Sequence, residues 1–414
     1  MNKRLVTLAA ALVAAAVACV TALAGAQADP GLTKRTIVIG GTFPLSGPAS
    51  SYAPIPVGLK AYFSYVNARR GTDKKRGIRG RQIVWKYYDD GYNPANTAQQ
   101  TRKLVEEDKV FALFGGLGTE PQQAVEKYLN DAKVPQLFVS TGATEFGSQA
   151  SQFPWTIGWQ PDYVAEGNIY GKYIVEHTPN AKIAVIYQND SYGQDYLDGL
   201  KQGLGSRTSN IVSSQPFDVT ASSVASQVGA MKAANPDLVC IFATPAKTIQ
   251  TYATMKALKF RPTDVYVNSV SATDTFMKLA LANADADTVN GSISTTYTKD
   301  PASPDWANDA AVKLYKKIMA KYVPTADANN GLYYYGVAKA YDVEKLLYAA
   351  GKNPTRASVL KAARHMNWVN PFLLPGIKVQ TSANDPFPVS QVKLMRFNNG
   401  LWAPFGSLIN GRGT

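Results

Sequence analysis

Cysteine and histidine are scarce in this chain, with two of each among 414 residues. Cys19 lies in the apolar N-terminal segment and Cys240 lies in the apolar stretch "DLVCIFAT". If the N-terminal segment is removed, no internal disulfide is possible, and we expect Cys240 to serve as a small buried hydrophobe. His177 and His365 have no partner at the spacing of metal ligands. These absences argue against a disulfide scaffold and against a histidine-based metal site.

The common catalytic and nucleic-acid-binding motifs are missing as well. There is no G-x-S-x-G elbow and no phosphate loop, and "GGLGTEP" lacks the third glycine of G-x-G-x-x-G. Asp89 and Asp90 in "YYDD" follow a predicted strand and are interpreted as caps of the next helix. The formal net charge is +13, but the basic cluster "RRGTDKKRGIRGR" has no interleaved aromatics. The sequence therefore predicts no enzyme, no metal or cofactor, and no nucleic-acid partner.

Long apolar runs are confined to residues 1–28, where Lys3 and Arg4 precede an Ala/Val/Leu core and small residues. This layout is typical of an export signal, with cleavage predicted after Ala28 and, as a second choice, after Ala24. Cys19 in "AVAC" leaves a rival open, a lipoprotein cleavage that would acylate Cys19. No later segment approaches the roughly 20 apolar residues that span a bilayer. We expect an exported, periplasmic or extracytoplasmic protein, either free or lipid-anchored.

The mature chain alternates short apolar strands with amphipathic helices. "TIVIGGTF" opens the pattern, a helix follows over 52–67, and the alternation continues to "DVYVNS". Continuous apolar strands, each followed by a helix, predict parallel sheets covered on both faces. The last third instead has consecutive helix patterns and then "VKLMRFNNGLWAPF", a hairpin signal around "NNG". The fold class is α/β, doubly wound, and the length favours two domains.

Two neighbouring strands end in similar loops, "GGLGT" and "STGAT". Parallel strands finish at one edge of the sheet, where the following helices present free N–H groups. Glycine admits a ligand close to the backbone, and threonine adds a hydroxyl. The two loops could therefore hold both oxygens of one carboxylate; ordinary helix caps with glycine turns are the alternative.

These motifs carry a resemblance that covers essentially the whole mature chain. It includes "IGGTFPLSGPASSY", "YYDDGYNP", "GGLGT", "VPQLFVSTGATEF" and "IAVIYQNDSYGQDYLDGLK", in this order. The chain resembles the type I periplasmic solute-binding proteins of the branched-chain amino-acid ABC transporter family, the Leu/Ile/Val-binding group. The resemblance implies a monomer that closes on a small carboxylate ligand and presents it to a membrane permease.

The resemblance also implies boundaries for two doubly wound lobes joined by three crossover segments. The N-terminal lobe would comprise 29–158 plus 297–370, and the C-terminal lobe 159–296 plus 371–414. Crossovers are expected near Trp159, Thr296 and Pro371.

Ligand-binding positions are transferred from the family one by one. In the first lobe they are an aromatic residue after "SGP" and the carboxylate-binding loops; in the second they are the tyrosine of "YG" and a residue after "DLVCIF". The resulting set is Tyr52, Thr119, Gly142, Ala143, Thr144, Tyr192 and Thr244. Trp155 and Tyr163 are assigned to packing between the lobes, with the pocket as the alternative.

Two departures from the family pattern bear on the ligand. A disulfide that some members have between the second and third strand ends would fall on Tyr92 and Gly118 and is absent. The second-lobe acid that pairs with an α-ammonium falls on Val270, and an unpaired buried ammonium is costly. The residues that could substitute are Asn268, Ser269, Ser271 and Asp274. A branched-chain amino acid is therefore the family-level expectation, with an aromatic or aliphatic acid without an amine, or a ligand-sensing role, as alternatives.

Overall fold

A computed structural model describes residues 29–71, 73–382 and 385–411. The predicted export signal and Cys19 lie outside the described residues. The strands are β1 Thr36–Phe43, β2 Gln82–Asp89, β3 Ala112–Phe114, β4 Gln136–Val139, β5 Thr156–Gly158, β6 Ile183–Gln188, β7 Ile211–Phe217, β8 Leu238–Phe242, β9 Asp264–Val267, β10 Ile293–Thr296, β11 Asn367–Trp368, β12 Val379–Gln380, β13 Gln391–Asn398 and β14 Leu401–Asn410. The α-helices are α1 Pro54–Ala68, α2 Pro94–Arg102, α3 Thr119–Asp131, α4 Glu145–Ser148, α5 Tyr163–His177, α6 Ser191–Leu204, α7 Ala225–Ala233, α8 Pro245–Ala257, α9 Asp274–Asn283, α10 Ala286–Val289, α11 Ala310–Tyr322, α12 Gly331–Ala349 and α13 Arg356–Ala363.

Two sheets organise the chain into two lobes. The first has the strand order β2-β1-β3-β4-β5, and all its pairings are parallel. The second has the order β14-β13-β10-β9-β8-β6-β7, in which only the β10–β13 and β13–β14 pairings are antiparallel. The predicted hairpin is confirmed as β13–β14, with its turn at Asn399 and Gly400. The α/β class with two lobes is confirmed, because strands such as β3, β4 and β8 are buried along their whole length.

After β10 the chain leaves the second lobe, and helices α11 to α13 precede the return to β13. Helix α12 packs on α1 of the first lobe. The two helices approach closely because a glycine of each lies against the backbone of the other. A Cβ on Gly58 would lie 2.3 Å from Tyr333 O, and a Cβ on Gly336 would lie 2.3 Å from Ile55 O. The chain therefore passes between the lobes three times, after β5, after β10 and before β13.

One irregularity shapes the carboxyl end of β4. Phe138 has a φ of 57°, the left-handed region that a bulky residue rarely adopts. The register with β5 shifts between Leu137 and Val139 at the same point, as in a β-bulge. Phe138 is fully buried against Phe114, which holds this conformation in place. The bulge re-aims the chain just before Ser140 and Thr141.

Cys240 is fully buried in β8, as expected. In the part of the chain that the structure describes, we find no helix with the length and apolar character needed to cross a membrane.

Candidate ligand-binding site

A cavity of about 150 Å³ lies between the two lobes. Four of the predicted site residues line it: Tyr52, Thr119, Tyr192 and Thr244. The wall is built mainly of hydroxyl groups and phenol rings. Further lining residues include Tyr92, Ser140, Thr141, Gln160, Tyr163, Ser269, Tyr297 and Tyr335. Such a wall offers apolar surface together with many hydrogen-bonding groups.

The first-lobe wall is formed where β3 and β4 end. Thr119 begins helix α3, which has no side-chain N-cap, and its Oγ1 lies 2.7 Å from Thr141 Oγ1. Gly118 precedes it with a φ of 104°, and a Cβ there would lie 2.6 Å from the Tyr92 ring. The ring of Tyr92 thus fills the space that the absent disulfide would need. The uncapped helix end and the paired hydroxyls give this wall a preference for negative charge.

Gly142, Ala143 and Thr144 are not among the residues that line the cavity. Their backbone groups are committed within the protein: Tyr163 N–H donates to Gly142 O at 2.8 Å, and Ala143 N–H donates to Thr141 Oγ1 at 3.1 Å. Because the bulge at β4 shifts the loop, the cavity is reached by the first residues of "STGAT" and not by the last three. Ser140 and Thr141 are the residues of this loop that line the cavity, and Gly142, Ala143 and Thr144 stay predicted ligand positions.

Direct hydrogen bonds join the lobes beside the cavity. Tyr52 OH donates to Val270 O at 3.1 Å. Thr144 N–H donates to Asp195 Oδ2 in α6 at 2.9 Å, and burial raises the pKa of Asp195 to about 7. The structure is thus a closed arrangement, and Thr144 contributes to the contact between the lobes.

The second-lobe wall is aromatic. Tyr192 is 3 % exposed, its hydroxyl is hydrogen bonded to the side chain of Asn268, and its ring meets that of Tyr163 edge-on at 5.2 Å. Tyr163, which we assigned to packing between the lobes, lines the cavity, whereas Trp155 is not among the lining residues. The hydroxyl of Thr244 is buried without a hydrogen-bond partner. It remains available to a bound molecule.

Glu166, which accepts hydrogen bonds from the neighbour of Val270, has all its acceptor positions occupied. Val270 lines the cavity and brings no charge. Glu166, buried below it, accepts from Tyr170 OH at 2.6 Å and Tyr196 OH at 2.8 Å, and also from Ser269 N–H at 2.8 Å and Ser269 Oγ–H at 2.7 Å. Burial also raises the pKa of Glu166. No oxygen of this side chain is left for a ligand ammonium.

Asp274, one of the candidate substitutes, does line the cavity, together with Asp300. Neither oxygen of Asp274 accepts a hydrogen bond, and the nearest cation, Lys278, lies 3.8 Å away. Burial and the neighbouring Asp300 raise the pKa of Asp274 to about 8, so near neutral pH it is largely protonated. Asp274 by itself is therefore a weak counter-charge. Among the described residues, no three His, Cys, Asp or Glu side chains form a group that could hold a metal ion.

Sequence reasoning missed several lining residues. Ser140 and Thr141 lie inside the "STGAT" motif, so the motif indicated the loop but did not single out these two residues. Gln160, Tyr297 and Tyr335 come from the crossovers and from α12. No motif marked them, because their place in the wall depends on how the lobes come together.

Comparisons with known proteins agree with this geometry. Residues 36–401 match the model of a family described as periplasmic binding protein. The leucine-specific-binding protein of Salmonella typhimurium is 25% identical over 213 residues, which are 51% of this chain and 52% of that protein. The chain is thus matched over about half the length of the curated relative.

Two solved structures share the fold over nearly the whole chain. A fatty acid ABC transporter substrate-binding protein from Thermomonospora curvata superposes with a TM-score of 0.77 at 16% identity, covering 94% of this chain and 97% of that one. An ABC-transporter solute-binding protein from Rhodopseudomonas palustris, solved with 3,4-dihydroxybenzoic acid, gives a TM-score of 0.73 at 17% identity, covering 91% and 98%. The predicted resemblance is confirmed: the chain belongs to the periplasmic binding protein family, in its type I form with Leu/Ile/Val-binding relatives, whose members are solute-binding proteins and not enzymes.

Proposed function

We propose that this protein is an exported solute-binding protein that captures a small carboxylate between its lobes and delivers it to the membrane permease of an ABC importer. The observation that carries the proposal is the pair of hydroxyls, Thr119 and Thr141, at the uncapped start of α3 and facing the interlobe cavity. Hydrogen bonds to a charged group stabilise binding by about 1.5 to 3 kcal/mol each. Of the two structural neighbours, one is a fatty acid ABC transporter substrate-binding protein and the other was solved with 3,4-dihydroxybenzoic acid, and both support a carboxylate ligand.

The proposed mechanism is hinge closure. The ligand docks on the first lobe through Thr119 and Thr141, and the second lobe then covers it with Tyr192. Closure forms the Tyr52–Val270 hydrogen bond and removes water, which strengthens each polar contact in the cavity.

The ligand is most simply an aromatic or aliphatic acid without an amine beside its carboxylate. The wall at Val270 is uncharged, and all four hydrogen bonds that Glu166 accepts come from the protein. A branched-chain amino acid is the second candidate, favoured by the leucine-binding relative. An ammonium buried without a counter-charge would cost several kcal/mol.

A thermal-shift panel tests the ligand class. The probes are leucine, its keto acid 4-methyl-2-oxopentanoate, 3,4-dihydroxybenzoate and octanoate. A true ligand raises the melting temperature by mass action, and we expect at least one amine-free acid to exceed leucine. A larger shift with leucine than with every other acid would contradict the amine-free class.

A matched pair of variants tests whether the hydroxyl of Thr119 binds the ligand carboxylate. Thr119→Val keeps the shape and removes the hydroxyl, and should weaken the best acid of the panel by about 10- to 150-fold in Kd, by titration calorimetry. Thr254→Val is the control, because Thr254 Oγ1 donates to Gln250 O at 2.8 Å within helix α8, away from the cavity wall. Equal Kd values for wild type and Thr119→Val would contradict the proposed role of Thr119 in binding the carboxylate.

A ligand-sensing protein with the same pocket is the alternative role. Uptake of the radiolabelled acid by cells distinguishes the two. Loss of uptake on deletion of this protein supports transport, and unchanged uptake supports sensing.

A further inference from the structure

Lys339, in the middle of α12, is a fully buried lysine with 0% of its surface exposed. Its Nζ donates to Tyr335 OH at 2.9 Å and to Ser140 Oγ. The ammonium also lies over two aromatic faces, 5.0 Å from the Trp159 ring centroid and 4.5 Å from that of Tyr335. Its surroundings are therefore hydroxyls and aromatic rings, which carry no formal charge.

No carboxylate in the described residues forms a hydrogen bond or an ion pair with Lys339. Asp342, three residues along the same helix, accepts from Trp159 Nε1 at 2.8 Å, Trp368 Nε1 at 2.8 Å and Asn370 Nδ2 at 3.0 Å. Burial lowers the pKa of Lys339 well below its usual value, and the charge of Asp342 offsets this only in part. A buried cation without a direct partner is costly, which makes a purely structural role a poor explanation for it.

The hydrogen-bond partners of Lys339 lead to the cavity. Ser140 and Tyr335 both line it. Tyr335 OH donates to Gln160 Oε1 at 2.8 Å, and Gln160 Nε2 donates to Tyr163 OH at 3.0 Å. Tyr335 and Gln160 each accept from the side of the lysine and donate onward, so the positive charge polarises these two groups in one direction. The Ser140 hydroxyl instead donates to Gly115 O at 2.6 Å. The outer members, Tyr163 and Gln160, also line the cavity.

We propose that Lys339 is a specificity-determining residue that makes the cavity select anions over uncharged molecules of the same shape, acting through Tyr335 and Gln160. This inference rests on the proposed function and deepens it by assigning a positive charge behind the cavity wall; Lys299, which lines the cavity, is paired with Asp309 at 2.7 Å. Lys339 does not line the cavity, so it positions and polarises the groups that do.

Proton uptake supplies a second readout. The groups that meet Lys339 from neighbouring elements, Ser140 and Trp159, are uncharged, and the titratable ones on its own helix are Tyr335 and Asp342. An anion placed beside this network favours the charged lysine. Binding of an acid should therefore raise the pKa of Lys339 and take up protons at pH values between the pKa of the free protein and that of the complex, detected as a binding enthalpy that changes between buffers of different ionisation enthalpy.

The test compares an acid with its amide in wild type and variants. The probes are 3,4-dihydroxybenzoate with 3,4-dihydroxybenzamide, and leucine with leucinamide. Lys339→Met removes the charge and keeps the apolar stem, and Lys339→Gln removes the charge and keeps an N–H donor. Lys345→Met, a half-buried lysine on the same helix, is the matched control.

We expect both Lys339 variants to lose at least about tenfold in affinity for the acid, with the amide unchanged and the proton uptake abolished, and Lys345→Met to behave as wild type. Equal losses for acid and amide would reduce Lys339 to a structural role and overturn the proposal. If an acid binds wild type and both Lys339 variants with equal affinity, the role proposed for Lys339 is overturned and the proposed function stands. If no acid in the panel stabilises the wild type, the proposed function itself fails, and this inference fails with it.

Discussion

The hydrogen bond from Tyr52 to Val270 is a direct link between the lobes, and Tyr52→Phe removes it with little other change. The Tyr52 ring is 6% exposed and meets Phe276 edge-on at 6.1 Å, and phenylalanine preserves that contact. The substitution therefore isolates one hydroxyl, at 3.1 Å from the Val270 carbonyl.

The expected loss of binding free energy follows from the hydrogen bonds that the Val270 carbonyl can accept in the open and in the closed protein. In the open protein the Val270 carbonyl is free to bind water, whereas in the closed protein the variant leaves it without this donor. Loss of the bond should destabilise closure by about 1 to 2 kcal/mol, and hence weaken ligand binding about 5- to 30-fold. The bond joins two protein groups, one from each lobe, so its loss acts on the closing equilibrium.

Titration calorimetry with the best acid of the panel measures the change in Kd. Tyr62→Phe is the control, because Tyr62 OH donates to Glu344 Oε2 at 2.8 Å, with both residues in the first lobe. That variant should lower the melting temperature and leave Kd alone. A Kd for Tyr52→Phe within a factor of about two of wild type would refute the reasoning, since the energy assigned to closure would then be missing.

Two further predictions concern stability. Asp274→Asn should raise the melting temperature more at about pH 9 than at about pH 5. Burial and Asp300 raise the pKa of Asp274 from 3.8 to about 8, so the folded state favours the protonated carboxyl and loses that contribution as the pH rises through the raised value; a pH-independent effect would contradict this assignment. Gly118→Ala should lower the free energy of unfolding by more than about 1 kcal/mol in urea titrations, because φ is 104° and the added Cβ would meet the Tyr92 ring. Gly205→Ala is the control for backbone strain, because Gly205 has a positive φ and a Cβ there would have no atom within 4 Å. If the two variants lose equal amounts of unfolding free energy, the clash with Tyr92 is ruled out.

Periodicity and turn chemistry were sufficient to predict most of the fold. The predicted helix over 52–67 is observed as Pro54–Ala68, and the hairpin around "NNG" is observed as β13–β14. These elements depend on local patterns of apolar residues and on turn residues, which a single sequence displays directly.

The cavity wall was only partly predictable, for two physical reasons. The loop after β4 was located by its composition, but the bulge at Phe138 shifts which residues of the loop reach the cavity. The left-handed backbone conformation of Phe138 depends on packing against the buried Phe114, and the neighbouring sequence gives no sign of it. Tyr335 and Lys339 belong to a helix from the last third of the chain, and their role depends on contacts between segments that are far apart in sequence.

The carboxylate of Asp342 has a mechanical consequence. It holds Trp159 of the first crossover and, through Trp368 and Asn370, the approach to the third. Two of the three connections are thereby tied to one point in α12. We therefore expect them to move together when the lobes open, so that opening resembles a swing about one axis more than a twist.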